Sequence, residues 1–86
     1  MTKKELRKRM FKSLQYRAQD VASCMDRSLW NCVRDEKHEF SGVLLACSYL
    51  GILKKGEFDL FNNSIWCDDK IQELIEIIKI KIAEID

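Results

Sequence analysis

The chain has 86 residues, 47% hydrophobic and 34% charged, with no proline, three glycines and a formal net charge of +1. That balance excludes a disordered or collagen-like chain, and the length allows one small domain, 1–86, with a modest core. The longest mostly apolar run, residues 43–53, is too short to cross a bilayer, and no export signal is legible at the start; a cytoplasmic protein without membrane association is expected.

So few breakers suit helices. An all-α fold of three to four helices is expected, with a long N-terminal helix and an Ile-rich C-terminal one, assembled as a homo-oligomeric helical bundle. Thr2 followed by Glu5 has the spacing of a capping box. From there Leu6, Met10, Leu14, Ala18, Val21, Met25, Leu29, Cys32 and Val33 recur every three or four residues, which predicts one apolar stripe from about residue 3 to residue 34. Helix propensity is mediocre between Ser23 and Ser28, where an interruption can fall. Uninterrupted, such a rod of roughly 45 Å overhangs a domain of this size unless it kinks or packs on another subunit.

The polar cluster RDEKHE at 34–39 reads as a connection. Phe40, Val43, Leu44, Cys47 and Leu50 then give helical spacing for a second, short helix, with Gly51 placed as its C-terminal cap. Residues 55–67 read as a short helix with Phe58, Phe61 and Ile65 on one face; a hairpin turning at Asn62-Asn63 is the competing reading. Asp69 and Gln72 form a second capping-box candidate, opening a helix over 71–85. In it Ile71, Ile75, Ile78, Ile82 and Ile85 alternate by four and three, a heptad seam, with Ile77 and Ile80 beside it.

Charge is distributed unevenly. Residues 1–17 hold seven Lys or Arg against Glu5, while the remainder holds eight bases and thirteen acids. Cations near a helix N-terminus oppose the macrodipole at a few tenths of a kcal/mol each, a small cost that points weakly to an anionic partner. Lys4, Arg7, Lys8, Arg9, Lys12, Tyr16 and Arg17 are accordingly the candidate partner- or anion-binding residues, joined by Trp30, an aromatic at the edge of the stripe. The bland alternative is a solvated helix face. Phe11 and Tyr16 interleave the charges where they could stack on a base or simply pack. Ile71, Ile75, Ile78 and Ile82 are the candidate oligomer interface, because the seam and its flanking isoleucines exceed what one small subunit is expected to keep dry.

Catalytic and metal chemistry find no support in the residues. Cys24, Cys32, Cys47 and Cys67 contain no CxxC pair and His38 is alone, so neither a metal nor a cofactor is expected. On a continuous helix Cys24 and Cys32 would stand ~12 Å apart and could not bridge, leaving them as reduced apolar fillers. His38, between Glu36 and Glu39, reads as solvated. The expected role is a small non-enzymatic accessory regulator or inhibitor that binds a protein or an anionic partner and associates with itself as a homodimer or higher oligomer. A nucleic-acid-binding regulator and an oligomer sequestering a small phosphate-bearing ligand are the alternatives. Compact, proline-free chains of this kind are similar in style to small viral proteins of bacteriophages and to those of other mobile elements, some of which block host defence systems or host enzymes; no motif here marks a family.

Overall fold

The computed structural model describes residues 1–85. Its helices are α1 (Lys3–Asp26), α2 (Trp30–Tyr49), α3 (Glu57–Ile65) and α4 (Ile71–Glu84), the last entered through a single 3-10 turn at Asp68–Lys70. The fold is all-α, and residues 55–67 contain a helix, not a hairpin. Thr2 caps α1 as its spacing implies: its hydroxyl oxygen accepts from the Glu5 N–H at 3.1 Å, and the hydroxyl in turn donates to the Glu5 carboxylate at 3.0 Å. The second capping box does not form. Lys70 occupies the N-cap of α4 and makes no side-chain cap, because the 3-10 turn already engages the backbone there.

Several sequence expectations need correction. The stripe over 3–34 is broken at residues 27–29, and the polar cluster at 34–39 lies inside α2 instead of joining two helices. The reason is tertiary. Folding α1 back on α2 brings Phe11, Leu14, Ala18 and Val21 against Val33, Phe40, Leu44 and Cys47 in one core, which a straight rod of one chain cannot do. With the break, α1 spans about 36 Å at 1.5 Å per residue, within the 39 Å long axis of the molecule. The same bend closes the gap between Cys24 and Cys32. Their Cα atoms are 6.0 Å apart and the two are disulfide-bonded, so the expectation of separate reduced thiols fails with the straight helix that underlay it.

The isoleucine seam is also placed differently from its expected role. Ile71, Ile75 and Ile78 are buried in this chain's own core with Leu74, packed under α1 and α3, while Ile82 is half-buried against the same cluster. Of the apolar residues on α4, Ile80 is the large one left open, at 58% exposure. The premise that these side chains need a second subunit to be dry is therefore not met. Phe11 and Phe61 meet edge to face at the centre, 5.6 Å between centroids, which removes Phe11 from any base-stacking surface.

Candidate anion-binding cleft

A cleft of about 490 Å³ opens where three remote pieces of chain meet. The first turns of α1 bring Lys3, Lys4 and Arg7, the α2–α3 connection brings Gly51 to Lys54, and the last turn of α4 brings Lys81, Glu84 and Ile85. Gly51 makes the approach feasible. It holds φ +67°, ends α2 through the Ile52 N–H donating to the Cys47 carbonyl at 3.3 Å, and the Lys3 ammonium lies 3.7 Å from where its Cβ would be.

Beneath the cleft sits Glu57, 3% exposed. Arg7 donates to it with both terminal nitrogens, at 2.6 and 2.7 Å, and also donates to the Ile52 carbonyl at 2.8 Å. The Lys54 backbone N–H donates at 2.7 Å and the Lys81 ammonium at 2.9 Å. Burial by itself pushes the Glu57 carboxyl up, but the hydrogen bonds from Arg7, the Lys54 backbone and Lys81 outweigh it and hold the group down at about 2. The Arg7 guanidinium is raised by the same hydrogen bond and lies 4.2 Å over the Phe11 ring, which fixes its plane. Glu57 thus pairs with both Arg7 and Lys81 and leaves this trio with one net positive charge. Lys3, Lys4 and Lys54 line the same cleft, together with Glu84 and the apolar walls of Ile52, Leu53 and Ile85.

The residues expected to bind an anion are divided among separate surfaces. Lys4 and Arg7 belong to the cleft. Lys8 lies with Glu5, Arg9 and Lys12 in a shallow depression, and Arg9, Lys12, Tyr16 and Arg17 line an open groove with Ser13 and Asp20. Arg17 is committed to α2, where it pairs with Glu36 at 4.0 Å and with Glu39. Burial raises the Glu36 carboxyl, with Glu39 and Asp20 adding to the effect. Tyr16 stands out at 67% exposure. Trp30 is a helix length away, exposed at the α1–α2 corner, and shares no surface with Lys4. Reasoning from the sequence missed Lys54, Lys81 and Glu57. No local spacing marks them, since Arg7 and Glu57 are fifty residues apart.

Elsewhere, His38 lies on α2 edge-on to Trp66, 5.0 Å between centroids, and the buried Lys37 pairs with Asp68 below the same indole. Among the described residues no group of three or more His, Cys, Asp or Glu is placed to hold a metal, and no helix is long and apolar enough to cross a membrane. No protein-family model, curated protein or solved structure matches the chain.

Proposed function

We propose that the protein is a non-enzymatic regulator or inhibitor that acts by binding, and that the lysine-rimmed cleft receives a carboxylate-bearing segment of a protein partner. The observation that supports this is the convergence of Lys3 and Lys54, from two remote segments, on one concavity whose rim carries one acid, Glu84, among the described residues. The Lys3 and Lys54 charges gathered this way repel each other, and an acidic segment relieves that repulsion. The apolar walls suit a peptide with aliphatic side chains between its acids. Steering by this charge makes association fast and salt-sensitive.

The test is anisotropy of a fluorescent peptide alternating Glu and Leu, titrated with wild-type protein and with the triple variant Lys3→Glu, Lys4→Glu, Lys54→Glu. Binding by the wild type that falls steeply as salt is raised, and loss of it in the variant, is the expected result. Equal binding by both proteins, or tighter binding of a single-stranded oligonucleotide than of the peptide, refutes the reading.

A further inference from the structure

We propose that α1 is exchanged between two copies of this chain, and that the Cys24–Cys32 disulfide is the lock that prevents the exchange. The bend at residues 27–29 is poorly built by local standards. It is closed by the same kind of hydrogen bonds that end α2: the Ser28 N–H donates to the Met25 carbonyl at 3.0 Å and the Leu29 N–H to the Cys24 carbonyl at 2.9 Å. At the end of α2 the left-handed position is Gly51, at φ +67°, whereas at the end of α1 it is Ser28, at φ +56°. A side chain there is strained, and glycine is the ordinary occupant. The next residue, Leu29, is the N-cap of α2 and supplies no side-chain hydrogen bond to the first turn.

The surroundings of the bend favour the open form as well. Leu29 and Trp30 are 45% and 57% exposed side by side at the corner. The apolar spacing through Met25, Leu29, Cys32 and Val33 continues as though the helix did not stop. If residues 27–29 become helical, α1 and α2 form one rod and α1 leaves its own core. A second copy opened in the same way returns every lost contact, because its α1 carries the same Phe11, Leu14, Ala18 and Val21 into the vacated groove. In an antiparallel pair of such rods the two hinges cross on the dyad, and Leu29 and Trp30 of each copy face those of the other. Short strained hinges promote this kind of exchange. The disulfide forbids it, since Cα atoms 6.0 Å apart cannot sit eight residues apart on a straight helix.

Unlocking is a two-electron exchange. One thiolate of a small dithiol attacks a sulfur of the Cys24–Cys32 bond, expelling the other cysteine as a thiolate that takes up a proton. The second thiolate of the reagent then displaces the first cysteine from the mixed disulfide, leaving two cysteine thiols and a cyclic oxidised reagent. A small-molecule disulfide reverses both steps.

Oxidised full-length protein, concentrated and warmed to its unfolding midpoint and then cooled, is measured by size exclusion with light scattering, with and without dithiothreitol. The oxidised chain is expected to stay at the 10.2 kDa of one copy and the reduced chain to yield a species of twice that mass. Ser28→Gly, which relieves both hinges of a pair, lowers the dimer association constant by about thirtyfold or more. Arg17→Cys with Glu39→Cys, in a Cys24→Ser, Cys32→Ser, Cys67→Ser background and joined by a short bismaleimide, reports the exchange directly: the dimer cross-links between chains on a denaturing gel and the monomer within one. The proposal is overturned by a reduced chain that stays monomeric or merely unfolds, by a Ser28→Gly dimer as stable as the parent, or by a dimer whose 17–39 cross-link closes inside each chain.

Discussion

Replacing Glu57 by Gln changes one atom and tests how the cleft is held together. The substitution keeps the shape and leaves an acceptor for the Lys54 N–H, but it removes the charge shared by Arg7 and Lys81. Removing one partner of a buried, hydrogen-bonded ion pair costs about 3–5 kcal/mol. The acid side gives an independent figure: displacement of the carboxyl from 4.5 to about 2 corresponds to about 3 kcal/mol. Both stand against a total stability on the order of 4–13 kcal/mol for a chain of this length. The folded-state value is depressed, so this stabilisation is fully present above pH 4.5 and is lost as the pH falls from 4.5 toward 2. Urea unfolding followed by circular dichroism, at neutral pH and in steps down toward pH 2, measures it. The variant should lose about 3 kcal/mol at neutral pH, and the gap between the two proteins should narrow as the pH drops. A loss below about 1 kcal/mol at neutral pH, or a gap that does not depend on pH, would show that water, not Glu57, satisfies Arg7.

Gly42 lies in the middle of α2 with nothing within 4 Å of the position a Cβ would take, so Gly42→Ala should stabilise the fold by about 0.5–1 kcal/mol in the same assay. Phe61→Ala, which removes the ring packed on Phe11, should cost about 3–5 kcal/mol and lower the urea midpoint accordingly. Ile78→Ala should cost about 2–5 kcal/mol through a cavity in this chain's own core, with the mass of the oxidised chain by light scattering unchanged. The buried Cys47 thiol, pushed up to about 11 by burial, should resist a thiol reagent in the native state and react only on unfolding, after the half-buried Cys67.

The helical class of this chain was legible because it rests on short-range rules. The Thr2–Glu5 cap, Gly51 at the end of α2 and the 3.6-residue spacing within each helix involve residues a turn or two apart, and each is found as read. The end of α1 was legible only as the weak helix propensity between Ser23 and Ser28, because the apolar stripe runs on through it, and the start of α2 was not legible, because the polar run at 34–39 reads as a connection. Periodicity records which face is apolar and says nothing of whether the partner surface is another chain or the same one folded back.

The site divides in the same way. Sequence determined that positive charge is concentrated in the first turns of the chain. Tertiary structure decided that Lys3 and Lys4 share a cleft with Lys54 while Arg9, Lys12 and Tyr16 face elsewhere. It also decided that Arg7 and Lys81 are spent on Glu57, that Cys24 meets Cys32, and that the buried isoleucines of α4 are covered within one chain. Each of these depends on the bend at Ser28 or on pairings across tens of residues, where the free energy comes from burial in a common core and leaves no local mark on the sequence.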